Sequence, residues 1–338
     1  MEKVTIKDVA LAAGVSITTV SRSLSGSSEI SESTRKRVLH ICDSLGYTPN
    51  AIARSMVKKR TDTVGLIVAS IANPFMSEVT NSVEIRLREH GYQLMVCNSS
   101  NDVRLERKAF ELLVGRQVDG ILLIPVGQES YESLSSLLTK VPTVFISENL
   151  RDYPVNYVSV DNYRGAKLGT EYLISLGHRK ILYLGCRQTS AAHRLRADGY
   201  RDACAAVGVE PTFLDNDGFS SHESGYCLAQ AYFSEGRREH TAIFCAADSI
   251  ALGVMQAADE AGIRVPGDIS LLGFDNISLS GLPRIALTTV DQPKPRIANA
   301  AVDMLFEQIA ATDDIPSYRV IAPRLITRST CAACAEQI

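Results

Sequence analysis

The chain has 338 residues, 45 % of them hydrophobic and 22 % charged, the balance of an ordinary globular protein long enough for two or three domains with full cores. The absence of any apolar run of about 18 residues excludes a membrane-spanning helix, and the charges within Met1 to Asp8 occupy the place where a secretory signal needs its apolar run, so a cytoplasmic location is expected. Its eight cysteines are scattered, as free thiols in a reducing compartment are. The net charge of −3 hides an asymmetry: residues 1–60 hold ten Lys or Arg against five Asp or Glu, a surplus of +5, while the rest carries −8. A small basic head on a larger acidic body implies that only the head meets a polyanion.

The head reads as three helices. The first spans Thr5 to Ala13: Thr5 and Asp8 have capping-box spacing, Ile6, Val9 and Ala10 recur at helical spacing, and Gly14 suits a left-handed stop. Ser16 then caps a second helix, Ile17 to Leu24, so a tight Gly turn joins two short helices as a helix-turn-helix. A third, Glu32 to Leu45, carries Val38, Ile41, Cys42 and Leu45 on one face and ends at Gly46. Val20 and Leu24 point inward from the second helix, which leaves Ile17, Thr18, Ser21 and Arg22 outside. Those side chains suit a helix entering a major groove. The hydroxyls can donate to phosphates or bases, Ile17 can touch a thymine methyl, and Arg22 can bridge guanine O6 and N7. Thr5 and Ser16, at helix starts where a phosphate is favoured, complete the expected contacts of the head. The same tract could also build a three-helix protein-interaction bundle.

Pro49 blocks continuation of the third helix and Asn50 can cap a new one, but Ala51 to Lys58 is too short to be stable alone. From Thr63, apolar runs alternate with helix-length segments. The first strands are Val64 to Val68, Tyr92 to Val96, Gly120 to Ile124 and Thr143 to Ile146, with a helix from Phe75 to His90. A second series begins near Tyr157 and continues through Lys180 to Leu184, Ala242 to Cys245 and Ile269 to Phe274. Strands separated by helices imply parallel sheets, and two series imply two α/β subdomains with a cleft between them. Ligands bind such sheets beyond the carboxyl ends of the strands, where Asn73, Phe75, Glu148, Phe219 and Asp275 fall.

The run Val4 to Arg22 and the run Tyr47-Thr48-Pro49-Asn50-Ala51-Ile52-Ala53-Arg54-Ser55-Met56 closely resemble the LacI/GalR family of bacterial transcriptional regulators, and matches recur through about Arg328. The resemblance implies a helix-turn-helix domain at 1–47 and a hinge helix or linker at 48–61. It further implies a periplasmic-binding-protein-like core, with one subdomain at 62–160 plus about 290–322, the other at 161–289 plus about 323–330, and a tail at 331–338. It implies that paired hinge helices enter a minor groove, with Asn50, Ala53 and Met56 at the contact and Met56 as the wedge where the family usually has Leu. It also implies that Arg196 and Asp275 touch an effector. Two departures stand out. Ala247 replaces a frequent ligand-binding Asn, so Asp248 is expected to cap the helix from Ser249 to Glu260; and Ser147-Glu148-Asn149 replaces a common Asp-Arg pair. A carboxylate at Glu148 repels an anionic effector, which favours a neutral sugar: Asp accepts from vicinal hydroxyls, Arg donates a fork, and Phe75 or Phe219 covers the apolar face.

The expectation is a homodimeric, ligand-responsive repressor of carbohydrate-utilisation genes on pseudo-palindromic operator DNA. No cofactor and no metal are expected: the six histidines show no metal spacing, His178 reads as structural, and Cys331 and Cys334 form a lone Cys-x-x-Cys. No Walker loop, nucleophile elbow or dinucleotide fingerprint is present, which argues against an enzyme acting in the cleft. A sugar-binding protein whose head contacts another protein is the remaining alternative.

Overall fold

A computed structural model describes residues 4–25, 27–48, 60–185, 190–215, 220–234, 239–311 and 315–334. The chain divides into two compact units, Met1–Thr61 and Asp62–Ile338. No helix among the described residues is long and apolar enough to cross a membrane.

The first unit contains α1 (Ile6–Ala13), α2 (Ile17–Leu24) and α3 (Glu32–Leu45). Local chemistry sets each boundary. The Asp8 carboxylate accepts from the Thr5 backbone N–H at 2.8 Å and from its hydroxyl at 2.7 Å, closing the start of α1. The Ser16 hydroxyl accepts from the Thr19 N–H at 3.0 Å and opens α2. Gly14 and Gly46 end their helices with φ of 61° and 63°, a conformation that costs any residue with a Cβ. Val9, Ala10, Ala13, Val20, Val38 and Cys42 form the core of this unit. Leu45 was expected on that inner face but is 38 % exposed. Its helix has fourteen residues against eight in each of its neighbours, and its buried residues stop at Cys42.

The second unit runs β1 (Thr63–Val68), α4 (Pro74–Glu89), β2 (Gln93–Asn98), α5 (Val103–Gly115), β3 (Gly120–Ile124), α6 (Glu129–Leu134), β4 (Thr143–Ile146) and β5 (Asn156–Val160). It continues through α7 (Asn162–Ser175), β6 (Ile181–Leu184), α8 (Ala191–Ala205), β7 (Thr212–Leu214), α9 (His222–Ser234), β8 (Ala242–Cys245), α10 (Asp248–Glu260) and β9 (Ser270–Asp275). It closes with β10 (Thr288–Asp291), α11 (Lys294–Ala310), β11 (Tyr318–Ile321) and β12 (Arg324–Ile326).

These strands build two six-stranded sheets, ordered β11-β5-β4-β3-β1-β2 and β12-β10-β9-β8-β6-β7. The first is parallel throughout; in the second only β12 runs antiparallel, against β10. Strand alternation sorts the first core into two layers: Val64, Leu66 and Val68 pack toward α4 and α11, while Ile67 packs toward α5. The chain passes between the sheets three times, after β5, after β10 and after β11. The strand near Tyr157, which periodicity alone put at the start of the second series while the boundary at 160 implied by the resemblance kept it in the first subdomain, is β5 of the first sheet, paired with β4 and β11. Apolar periodicity marks a buried strand but not the sheet that takes it; here the switch comes in the following helix, α7, which packs on β10 and β12. The late segment does return to the first sheet as α11 and β11 before β12 rejoins the second.

Candidate DNA-reading helix and ligand cleft

In the head, helical geometry puts residues 17, 18, 21 and 22 on one side of α2, and all four are exposed. Val20 and Ser23 are buried on the other side. The exposed set is small, uncharged and hydroxylated apart from Ile17 and Arg22, so the helix can approach base edges without a bulky obstacle. The other two head residues are already occupied. Both Thr5 donors are spent on Asp8, whose carboxyl those bonds hold below its ordinary value, so Thr5 acts as a helix cap. The Ser16 hydroxyl accepts from Thr19 and pairs with the Thr19 hydroxyl at 2.9 Å. Arg22 reaches Glu29, Nη1 to Oε2 at 2.5 Å. Asn50, Ala53 and Met56 lie outside the described residues, as does Phe219.

In the second unit a cavity of about 450 Å³ opens beyond the carboxyl ends of the strands of both sheets. Asn73 and Phe75 reach it from the segment after β1, Glu148 from the end of β4, Arg196 from α8 and Asp275 from the end of β9. Five of the six expected effector residues therefore line one cavity. Their roles differ. The Asn73 side chain caps α4, its Oδ1 accepting from the Phe75 N–H at 2.9 Å and the Met76 N–H at 3.4 Å. Phe75 is 7 % exposed and belongs to the core as well as to the wall.

Arg196 is placed by its own segment. Gly199 lets α8 close on α7, where a Cβ would collide with the Tyr163 carbonyl oxygen. Tyr200 anchors the helix through its hydroxyl, which donates to the Ile181 carbonyl at 2.8 Å. The guanidinium lies 3.8 Å from the Phe274 ring centroid. Its Nε donates to Asn162 at 2.8 Å, and its Nη1 to the Ala246 carbonyl at 2.5 Å and to Asp275 Oδ1 at 3.5 Å. Asp275 Oδ1 also accepts from Gln292 at 2.6 Å, while its backbone carbonyl accepts from Lys294 at 2.7 Å. Burial pushes the Asp275 carboxyl up, against the opposing pull of Arg196. Its φ of 123° is a conformation that side chains rarely adopt, so the strand end is strained where it meets the cavity. Among the described residues, Arg196 Nη2 and Asp275 Oδ2 carry no hydrogen bond, leaving a donor and an acceptor for a ligand.

Glu148 departs from expectation. Instead of offering a free carboxylate it accepts from the Ser190 hydroxyl at 2.8 Å and from the Ala191 N–H at the start of α8. The first subdomain is thereby tied to the second across the cleft, and the helix N-terminus compensates the charge. Burial nevertheless raises the carboxyl to about 6. Asp248 departs too: it is the first residue of α10, not its cap, and it is fully buried. Its carboxylate accepts from the Ile277 N–H at 3.0 Å, Ser280 at 2.6 Å and Thr289 at 2.5 Å, fixing the loop that follows Asp275.

The structure adds His193, one turn before Arg196 on α8, to the cavity wall. Burial, helped by Arg196, pushes its imidazole down to about 3, so it is neutral, and its Nε2 lies 3.1 Å from the Ser220 hydroxyl. The spacing of three from Arg196 was a usable signal. Asn162 and Gln292 had none, since each meets the site only through the fold. His178, expected to be structural, is buried between Thr241, Ser270 and the Ala332 carbonyl.

Comparison with known proteins fits both units. Residues 5–50 match the bacterial regulatory proteins of the lacI family, and residues 170–331 match the periplasmic binding protein-like domain. The HTH-type transcriptional repressor PurR of Pasteurella multocida is 34 % identical over 330 residues, covering 96 % of this chain and 98 % of that protein. The lac repressor dimer bound to operator and the anti-inducer ONPF superposes with a TM-score of 0.87 at 28 % identity, over 98 % of this chain and 100 % of that one. The transcriptional regulator CelR in complex with cellobiose gives 0.71 at 29 % identity, over 97 % and 100 %. A three-helix head with an exposed face on its second helix, a two-sheet core around a cleft and relatives covering 96 % of the chain converge: the chain belongs to the LacI family and is a DNA-binding transcriptional repressor, not an enzyme.

Proposed function

We propose that the protein is a homodimeric repressor of carbohydrate-utilisation genes that acts in the cytoplasm, binds a pseudo-palindromic operator, and is controlled by a neutral sugar-like effector in the cleft. In this reading residues 1–47 read the major groove through Ile17, Thr18, Ser21 and Arg22, and 48–61 carry Asn50, Ala53 and Met56 to the minor groove. The lac repressor structure contains a dimer on operator, and the CelR structure contains cellobiose, which supports the assembly and the ligand class by likeness.

The observation that carries the ligand class is the Arg196–Asp275 pair. Among the described residues lining the cavity, Arg196 is the only Lys or Arg, and Asp275 already faces it. A charge-balanced donor and acceptor suit vicinal hydroxyls better than a phosphate or carboxylate. Glu148 does not set the charge of the ligand, because α8 already compensates that carboxylate. An effector alters operator affinity only if it binds two core geometries differently. The Glu148 link to Ser190 and Ala191, which spans the cleft, is a contact that such geometries would make or break.

The test is operator affinity at fixed salt with and without neutral sugars, each sugar's binding followed separately by calorimetry. A sugar that binds the cleft and shifts operator affinity supports the reading; sugars that bind and shift nothing remove the allosteric part. Anionic ligands that bind more tightly than every neutral one would overturn the ligand class.

A further inference from the structure

We propose that Glu29 is a specificity-determining residue of the head: it clamps the Arg22 guanidinium so that one edge is presented to guanine, while its charge penalises docking on phosphate. The proposal rests on the reading of Arg22 as a base contact and adds a partner to it.

Arg22 lies in the last turn of α2 on the exposed side. Its Nη1 meets Glu29 Oε2 at 2.5 Å, and among the described residues its Nε and Nη2 carry no hydrogen bond. A guanidinium held at one Nη keeps its Nε–Nη2 edge open, and that edge matches the paired acceptors O6 and N7 of guanine. The clamp also removes rotamer freedom that a free Arg would lose on docking.

Glu29 is itself held. It lies in the segment between α2 and α3, and that segment is bonded to both helices. The Ser27 N–H donates to the Arg22 carbonyl at 3.0 Å, and Arg35 on α3 donates to the Ser27 carbonyl at 2.6 Å. The Glu29 N–H donates to the Ser27 hydroxyl at 3.3 Å. The carboxylate is therefore delivered to Arg22 by backbone tied to Arg22's own helix.

Two other acids of the head have different work. Asp8 closes α1, and Glu32 pairs with Lys36 at 3.1 Å on the surface of α3. Glu29 alone among these three stands against the reading helix. A carboxylate there weakens attraction to the anionic backbone, which is sequence-independent, and leaves the uncharged guanine edge unpenalised. Arg22 and Glu29 side chains are 52 % and 62 % exposed, so their pair adds little to folding and its removal leaves the head intact.

The test uses the full-length protein, a duplex selected by the wild-type protein from a random pool, and a scrambled duplex, at two salt concentrations. Glu29→Gln is expected to lower the selected-to-scrambled affinity ratio by about tenfold, mainly through tighter binding to the scrambled duplex with a steeper salt dependence. Glu29→Asp is expected to restore most of the ratio. Arg22→Ala should lower the ratio, and adding Glu29→Gln to Arg22→Ala should lower it further by much less than Glu29→Gln does in the wild type, the part carried by the clamp being already lost. If Arg22→Ala lowers the ratio but Glu29→Gln leaves it unchanged or raises it, Glu29 only parks the arginine and the inference fails. If Arg22→Ala leaves the ratio unchanged, the assignment of Arg22 to a base fails first. Melting curves of each variant separate these outcomes from unfolding.

Discussion

The head and the cleft solve recognition in opposite ways. The four side chains proposed to read DNA sit within six residues on the exposed face of one helix, and the segment around them is held by bonds spanning at most eight positions. The cleft assembles Arg196, Asp275 and Glu148 from segments more than forty residues apart and buries all three. An exposed site can change its chemistry without endangering the fold. A buried one cannot, because each of its charges is a condition for another's burial.

The largest effect expected from this contrast is at Arg196. Arg196→Ala strands Asp275 among Gln292 and the strained strand end, so the core should lose about 3–5 kcal/mol of stability. Urea denaturation of the full chain checks this, and a loss below 1 kcal/mol would mean that the pair is not integral to the core.

Glu148 gives a smaller effect with a distinct signature. Its carboxyl is raised from an ordinary 4.5 to about 6, so the folded state holds a proton that the unfolded state has already released. The stability this group contributes is therefore higher below about 4.5 and falls as pH rises toward 6. The difference in stability between wild type and Glu148→Gln should follow that slope across the window, measured by denaturant unfolding at several pH values. A difference flat with pH would place the carboxylate outside the buried link.

The head should respond in affinity instead. Arg22→Ala should weaken binding to the selected duplex by about 1–3 kcal/mol with little change in melting. An equal loss on scrambled DNA would make Arg22 a phosphate contact. The smallest effect is expected from Ser16→Ala, which removes the Thr19 cap at a cost of about 1 kcal/mol to the head. Helical content and melting of the full chain report it.

The same contrast explains what was readable from sequence. Helix boundaries in the head follow from neighbours three or four residues apart: Thr5 with Asp8, Ser16 with Thr19, and the positive φ of Gly14 and Gly46. The alternation of strands and helices in the core was readable for the same local reason. Sheet membership was not: β5 looks like any buried strand until its partner β11, about 160 residues later, is in place. The direction of a buried carboxylate is equally non-local. Glu148 turns to Ala191, 43 residues on, and Asp248 turns to Thr289, 41 residues on, so neither role had a signal in its own segment. Asn73, Phe75, Glu148 and Asp275 could be gathered by their position at strand ends, and Arg196, inside α8, by the resemblance of its segment, but none could be assigned partners.

One measurement addresses the link between the two regions most directly. The full-length protein is titrated with its selected duplex, with and without a neutral sugar shown by calorimetry to bind, in wild type and in Arg196→Lys. The wild type should change duplex affinity by about 5-fold or more, and Arg196→Lys, which keeps the charge but loses the fork, should lose most of that response, with duplex binding without sugar and melting measured alongside to separate a lost response from a lost fold. A sugar that occupies the wild-type cleft yet leaves duplex affinity unchanged would contradict the account.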